Sequence, residues 1–173
     1  MKLTILKIGG KLIEDEVVFS QVLDDFVQLP GLKILVHGGG ARASQLGKAL
    51  GTPAQMIEGR RITDADTLEI VTMVYAGLYN KKVVAQLQAR NCNALGLSGA
   101  DGNIIQAHKR IVKTIDYGFA GDIDQIDAVG IDRLLKADFT PVFCAITHNK
   151  KGQLLNTNAD TIAAEVSQAM AAD

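Results

Sequence analysis

The sequence predicts an α/β fold with a mostly parallel central sheet. Three observations support this prediction: short apolar runs rich in β-branched residues, glycine turns that directly follow them, and helical spacing after each turn. The first run, residues 3–8, ends at two glycines (9–10), and the second, residues 33–37, ends at three glycines (38–40). This order of strand, turn and helix is typical of parallel strands joined by right-handed crossovers.

The remaining elements follow from the same kind of pattern. Apolar residues at helical spacing predict an amphipathic helix over residues 14–28 and a short helix ending near Leu50. A small hairpin is predicted over residues 54–62, and a long helix follows from Thr63 to about Arg90. Thr63 and Asp66 have the spacing of a capping box, which predicts the start of that helix.

The second half of the chain mixes short strands with two helices. The predicted elements are a buried strand at 94–98, a β-rich segment at 103–126, a helix at 128–138, a core strand at 140–146, a short strand at 153–156 and an alanine-rich helix at 158–172. We find no repeat, linker or composition shift, so residues 1–173 are predicted to form one domain without an internal boundary.

The composition excludes several classes of protein. The chain has 173 residues, 47% of them hydrophobic, and a formal net charge of −1. This near-neutral balance gives no basic surface for nucleic acid, and the apolar runs are too short to span a bilayer. The N-terminus is interpreted as a first strand and not a signal peptide. Cys92 and Cys144 are expected to be buried thiols, which favours a cytoplasmic location.

The glycine turns are the main indication of chemistry. Such a turn lets the backbone approach a ligand closely, and its N–H groups, with those of the following helix, can bind an anion. The alternative is that the glycines only make tight turns. Lys7, inside the first apolar strand, favours an anion site, because an isolated ammonium is costly to bury.

Two other interpretations of the turns stay open at this point. Gly38, Gly40 and Ala43 match a loose dinucleotide-binding fingerprint, although no acidic residue follows at the expected distance. The HGGG segment at 37–40 is similar to the oxyanion loop of esterases, and Ser98 lies in a near match to a nucleophile elbow. A nucleotide-binding module and a serine hydrolase are therefore alternative hypotheses.

Polar residues elsewhere could complete a site. Arg60 and Arg61, in the hairpin, could hold a carboxylate, although a solvated pair is the alternative. The segment 156–160 offers two amides and a carboxylate, and its Asn158 also fits a helix N-cap. The three histidines lack the spacing of metal ligands, so we predict no metal site made of protein ligands, and His37 is interpreted as a turn residue and not a base.

Taken together, these motifs resemble the amino acid kinase family, in particular its acylglutamate-phosphorylating branch. The matching segments, in the order of the family, are KIGG at 7–10, HGGG at 37–40, GRRITDAD at 59–66, GLSGADGNII at 96–105, PVFCAI at 141–146 and GQLLNTNAD at 152–160. The resemblance implies a three-layer αβα fold. It also implies transfer of the γ-phosphoryl group of ATP to the side-chain carboxylate of an N-acylglutamate, such as the N-acetyl form, in arginine biosynthesis.

The resemblance also implies roles for particular residues. Lys7 would stabilise charge on the transferred phosphoryl group, and Asp160 would orient Lys7. Backbone N–H groups of the loops would contact that group or the substrate. These loop residues are Gly9, Gly10, Gly39 and Gly40. Arg61 would hold the α-carboxylate of the substrate, and Asn156 and Asn158 would bind the substrate. Mg²⁺ would arrive with ATP and be held mainly by its phosphates.

Three further expectations come from the resemblance. The family has a further nucleotide-binding half, so this chain is expected to be a substrate-binding N-terminal portion that is inactive alone. Lys11 stands where the family has a smaller neutral residue. The absence of an N-terminal extension is typical of members that arginine does not inhibit.

Independently, the apolar residues on several faces of the predicted helix 64–90 require cover on two sides. A homodimer seam would supply it, as would a second layer of the same subunit.

Overall fold

A computed structural model describes residues 2–171, in which the strands form a four-stranded sheet, a closed four-stranded barrel and a two-stranded hairpin. The strands are β1 (Leu3–Ile8), β2 (Leu32–His37), β3 (Met56–Ile57), β4 (Arg60–Arg61), β5 (Ala94–Leu97), β6 (Ile105–Lys109), β7 (Ala120–Ile126), β8 (Thr140–Cys144), β9 (Ile146–His148) and β10 (Leu154–Thr157).

Seven α-helices lie within the described residues. They are α1 (Gly10–Glu14), α2 (Glu16–Gln28), α3 (Gly40–Ala49), α4 (Ala65–Thr72), α5 (Asn80–Gln88), α6 (Ala128–Lys136) and α7 (Ala159–Ala171). A π-helical segment, Met73–Tyr79, joins α4 to α5. Two helices, α1 and α2, replace the single helix predicted over residues 14–28, and the first of them starts earlier, at Gly10. Asp15 separates them: it ends α1 and caps α2 by accepting a hydrogen bond from the Val18 N–H. The predicted end of α7, at residue 172, lies outside the described residues.

The central sheet confirms the predicted parallel arrangement. Its strand order is β1-β2-β8-β5, and all three neighbouring pairs are parallel. Ile34, Leu35 and Val36 are consecutive in β2, and each is 0% exposed. Because neighbouring residues of a strand point to opposite faces, both faces of this sheet must be covered, as a three-layer fold requires.

Helices provide that cover in two groups. In one group, α7 packs against β1 and β2, and α6 packs against β8 and α7. In the other, α5 packs against β5, β8 and α2. Both cysteines are free and buried, as expected from the sequence. No helix within residues 2–171 combines the length and the apolar character needed to cross a membrane.

The apolar run at 140–146 is not the single strand that the sequence predicts. It contains two strands that belong to different sheets: β8 ends at Cys144 in the central sheet, and β9 starts at Ile146 in the barrel. In the barrel, β9 pairs antiparallel with β10 and parallel with β6. The break at Ala145 leaves no mark in the apolar pattern, because all residues from 141 to 147 are buried.

The predicted capping box at the start of the long helix is wrong. Asp64 is the N-cap of α4, and its side chain accepts a hydrogen bond of 2.8 Å from the Thr67 N–H. Thr63 instead forms a parallel β-bridge with Gly118, and its hydroxyl donates to the Arg61 carbonyl. The helix therefore starts one residue later than a Thr63 cap would place it, because tertiary pairing holds Thr63 in an extended segment.

Replacing Asp64 by alanine tests this cap. Asp64→Ala should lower the free energy of unfolding at neutral pH by about 1 kcal/mol, the usual effect of losing an N-cap side chain. Hydrogen bonds from Thr67 lower the pKa of Asp64 from its ordinary value of 3.8. The stabilisation is therefore present above that value and is lost as the pH falls through the lower pKa of the folded state. Chemical denaturation between pH 3 and 7 measures both effects.

Asp66→Ala is the matched control, because it removes the same charge from the same helical turn without removing the cap bond. Its effect at neutral pH should be smaller than that of Asp64→Ala. Equal effects of the two substitutions would contradict the assignment of Asp64 as the cap.

Candidate active site

A cleft of about 240 Å³ opens where the two glycine turns follow β1 and β2. In α/β proteins this carboxyl edge of a parallel sheet is the usual place for a ligand. The cleft contains all the residues to which the resemblance to the amino acid kinase family assigned a role. They are Lys7, Gly9, Gly10, Gly39, Gly40, Arg61, Asn156, Asn158 and Asp160. The fold thus brings together residues from both ends of the chain.

The two glycine turns lie directly against each other. A β-carbon on Gly10 would lie 2.9 Å from the Cα atom of Gly39. A β-carbon on Gly39 would lie 2.6 Å from Cδ1 of Tyr75 and 3.1 Å from Cδ2 of Tyr79. The φ angle of Gly39 is 178°, which is extended backbone. Close approach of neighbouring atoms therefore requires glycine at both positions.

Three helices begin at the cleft. These are α1 at Gly10, α3 at Gly40 and α7 at Ala159. Within residues 2–171, no side chain caps the first turn of α1 or α3. The first N–H groups of a helix lack intrahelical acceptors, and they carry a partial positive charge. This end of the cleft is therefore suited to an anionic ligand.

Lys7 and Asp160 form an ion pair in the cleft. The distance from Lys7 Nζ to Asp160 Oδ1 is 2.8 Å, and the side chains are 29% and 70% exposed. Lys7 lies on β1, and Asp160 lies in the first turn of α7. The carboxylate therefore holds the ammonium group beside the helix N-termini, with the charge of the lysine balanced by that of Asp160.

Arg61 is held against the second glycine turn. Its side chain is buried, and Nη2 donates to the Gly40 carbonyl at 2.9 Å and to the Ser44 hydroxyl at 2.8 Å. Burial raises the pKa of the neighbouring Tyr75, and Arg61 opposes this rise. Arg60, its neighbour on β4, is half-buried and also lines the cleft. Of the two arginines, Arg61 has the more fixed position.

Thr63 connects the arginine segment to the asparagine segment. The Thr63 hydroxyl donates to the Arg61 carbonyl at 3.0 Å and accepts from Asn156 Nδ2 at 3.0 Å. Asn158 caps α7 through Oδ1, which accepts from the Thr161 N–H at 3.0 Å. This confirms the N-cap interpretation. The Asn158 Nδ2 group makes no hydrogen bond within the described residues, so it can still donate to a ligand.

Sequence reasoning missed three residues of the site: Ser44, Tyr75 and Tyr79. Ser44 supports Arg61, and the two tyrosine rings lie against Gly39. The Tyr79 hydroxyl donates to Glu14 Oε1 at 2.7 Å, which ties the ring to α1. In the sequence these tyrosines are two apolar positions of a long helix. Their four-residue spacing, which places them on one face, was the only available signal.

His37 lies beneath the second turn and is fully buried. Burial lowers the pKa of His37 to about 4, so the ring is neutral near pH 7. Its Nδ1 atom lies 2.9 Å from the Gly38 carbonyl oxygen, and its Nε2 atom lies 3.2 Å from Asn80 Nδ2. This environment does not suit a general base. The interpretation of His37 as a turn residue is wrong, because His37 is the last residue of β2 and pairs with Ile8 and Cys144 in the sheet.

The geometry around Ser98 does not fit a serine hydrolase. The Ser98 hydroxyl donates to Asp101 Oδ2 at 2.7 Å, and the Ser98 N–H donates to the same oxygen. The segment that follows is a short 3₁₀ turn, Asp101–Asn103, whereas a nucleophile elbow leads into an α-helix. Residues 2–171 also contain no group of three or more His, Cys, Asp or Glu side chains arranged to hold a metal ion.

Comparison with known proteins agrees with this geometry. A protein named acetylglutamate kinase from Bacteroides fragilis is 52% identical over 171 residues, or 99% of this chain. The chain spans 66% of the length of that relative, just under two thirds. A protein of the same name from Methanopyrus kandleri is 38% identical, and the match covers 98% of this chain and 68% of the relative.

Solved structures show the same fold. An N-acetylglutamate synthase from Neisseria gonorrhoeae, complexed with coenzyme A and N-acetyl-glutamate, superposes with a TM-score of 0.83 at 23% identity. The superposition covers 97% of this chain and 39% of that one. The sequence model of the amino acid kinase family matches residues 2–173, so neither the dinucleotide-binding module nor the hydrolase is favoured. The chain belongs to the amino acid kinase family.

Proposed function

We propose that the natural protein containing this chain transfers the γ-phosphoryl group of ATP to the side-chain carboxylate of N-acetyl-L-glutamate, or of another N-acylglutamate, in arginine biosynthesis. The observation that carries the proposal is the position of the Lys7–Asp160 pair in one cleft with two uncapped helix N-termini and Arg61. Relatives named acetylglutamate kinase support the choice of substrate.

Positive groups in the cleft suit the two anions of the proposed reaction, the γ-phosphate of ATP and the side-chain carboxylate of the acylglutamate. Phosphoryl transfer needs little more from a protein than in-line positioning and neutralisation of charge on the transferred group. Lys7 and the N–H groups of Gly10, Gly39 and Gly40 provide that neutralisation in the proposal. Asp160 keeps Lys7 in place through their 2.8 Å contact.

Arg61 and the two asparagines bind the acylglutamate in this proposal. Arg61 holds the α-carboxylate, because a guanidinium group fixed by the Gly40 carbonyl is a rigid partner for a carboxylate. Asn156 and Asn158 contact the rest of the substrate. Thr63 bonds to both Asn156 and the Arg61 backbone, and therefore sets the spacing between the two binding segments.

The proposed reaction requires no general base. The reacting group is a side-chain carboxylate with an ordinary pKa of about 4.3, so it is ionised at neutral pH. The neutral, buried His37 is consistent with this requirement. Mg²⁺ accompanies ATP and is held mainly by its phosphates, where it neutralises their charge. The only carboxylate assigned to the proposed site, Asp160, already pairs with Lys7.

We also propose that the enzyme is cytoplasmic and forms a homodimer through the long helix from α4 to α5. Met73 and Leu78 lie in its π-helical part and are 52% and 50% exposed. Apolar side chains of this size on one helix are suited to burial between two subunits. Sedimentation at micromolar concentration should show twice the monomer mass, and a monomer under these conditions would reject the dimer.

A panel of acceptors tests the proposed reaction directly. The natural protein, given ATP and Mg²⁺, should form an acyl phosphate with N-acetyl-L-glutamate, which hydroxylamine traps as a hydroxamate. N-succinyl-L-glutamate in a parallel reaction identifies the acyl group that is preferred. Free L-glutamate should react far more slowly, because its charged amino group replaces the neutral amide. Lack of ATP-dependent hydroxamate with every acceptor would reject the proposed function.

Replacing Lys7 tests its proposed role in the transfer. Lys7→Met should lower kcat about 100-fold or more, which is the usual effect of losing one group that stabilises transition-state charge. Lys11→Met is the matched control, because Lys11 is exposed and does not line the cleft. The control should keep kcat within about twofold. Steady-state kinetics of both variants decide the question, and unchanged turnover of Lys7→Met would contradict the assignment.

Replacing Arg61 tests substrate binding. Arg61→Gln should raise KM for the acylglutamate about 10- to 100-fold, as expected for the loss of a charged hydrogen-bonding partner. KM for ATP should change much less. Arg60→Gln removes the same charge from the same strand and should have the smaller effect. Equal changes for the two variants would show that the cleft responds only to net charge, and that Arg61 is not a specific ligand.

A further inference from the structure

The buried ring of His37 joins the second glycine turn to the long helix. Its Nδ1 atom lies 2.9 Å from the carbonyl oxygen of Gly38, and its Nε2 atom lies 3.2 Å from Nδ2 of Asn80. Nothing in the proposed reaction uses this ring, although His37 is the last residue of β2 and directly precedes the turn. Its two contacts therefore need another explanation.

Asn80 determines which nitrogen of His37 carries the proton. Asn80 Nδ2 donates to the Val142 carbonyl at 2.9 Å, and Asn80 Oδ1 accepts from Lys81 Nζ at 3.0 Å. These bonds fix the orientation of the amide, so its nitrogen faces His37 Nε2 as a donor. Nε2 must then be the acceptor, and the single proton of the neutral ring lies on Nδ1. That proton is donated to the Gly38 carbonyl.

The bond to Gly38 fixes the direction of the next N–H group. The Gly38–Gly39 peptide is trans, as are all the peptide bonds in the described residues, so its C=O and N–H point in opposite directions. Because the C=O points to the buried ring, the Gly39 N–H points away from it. This N–H has no hydrogen-bond partner within residues 2–171, and Gly39 lines the cleft.

We propose that His37 and Asn80 are positioning residues that hold the Gly39 N–H toward the reacting phosphoryl group. Neither side chain touches the substrate in this proposal. Asn80 selects the tautomer of His37, and His37 orients the peptide. The inference rests on the proposed phosphoryl transfer, which it deepens by assigning a function to two buried residues outside the cleft.

The π-helical segment places Asn80 where this role requires it. The Asn80 N–H donates to the Tyr75 carbonyl, five residues earlier, so Asn80 lies one wide π turn beyond Tyr75. The Tyr75 ring lies against Gly39, so the same helix contacts two parts of the turn. A side chain at Gly96 would overlap Asn80 Oδ1, so glycine on β5 leaves the space that the amide occupies.

Two substitutions of His37 separate positioning from packing. His37→Leu keeps an apolar side chain of similar size but removes the donor to Gly38. His37→Asn keeps an N–H donor near the position of Nδ1. If His37 positions the peptide, His37→Leu should lower kcat about 10- to 100-fold, with KM for both substrates within about threefold. His37→Asn should recover most of that loss. If His37 only fills space, Leu should perform at least as well as Asn.

Nitrogen NMR of the wild-type protein gives a second test that needs no variant. The His37 ring should show a protonated Nδ1 and an unprotonated Nε2 between pH 6 and 8. A protonated Nε2 would overturn the inference, even if His37→Leu fails to fold. Wild-type kcat in a correctly folded His37→Leu protein would also overturn it.

The positioning role of His37 can also be tested if the proposed kinase function is wrong. In that case the wild-type protein would phosphorylate no acylglutamate, and titration with orthophosphate would decide the inference. The Gly39 amide resonance should shift on addition of orthophosphate in the wild type and in His37→Asn, but not in His37→Leu. No shift in the wild type, or equal shifts in all three proteins, would overturn the inference.

Discussion

The contact between Gly10 and Gly39 is the constraint on which the rest of the cleft depends. The parallel pairing of β1 with β2 ends the two strands side by side, so their turns must share one small space. Each turn can approach the other only because neither residue has a side chain. This approach brings the N-termini of α1 and α3 together, so the positive ends of two helices face the same cleft.

Other parts of the chain complete the cleft through specific bonds. The Lys7–Asp160 ion pair joins β1 to α7, and Thr63 joins the arginine strand to Asn156. Arg61 in turn bonds to the Gly40 carbonyl of the second turn. Because each of these contacts joins segments that are far apart in sequence, a change in one segment alters the position of groups contributed by another.

The sequence predicts the local elements better than their partners. Each glycine turn and its flanking strand is visible because an apolar run ends abruptly at glycine, and the residues expected at the site do share one cleft. The break at Ala145 and the closed barrel depend on long-range pairing, which an apolar pattern does not encode. The cap at Asp64 was missed because the bridge from Thr63 to Gly118 overrides the capping-box spacing. In the sequence, Tyr75 and Tyr79 cannot be distinguished from core residues of the long helix. The structure shows why, because both residues are buried as core residues are.

The π-helical segment determines how α5 is rotated relative to α4. The wide turns between Met73 and Tyr79 take up about one residue more than an α-helix would place in the same rotation. If these residues wound as a regular α-helix, at about 100° per residue, everything that follows would rotate relative to α4. Val83 and Leu87, which are now fully buried on α5, would then leave the sheet together with Asn80. The wide turns thus keep α5 in the orientation that buries Val83 and Leu87 against the sheet.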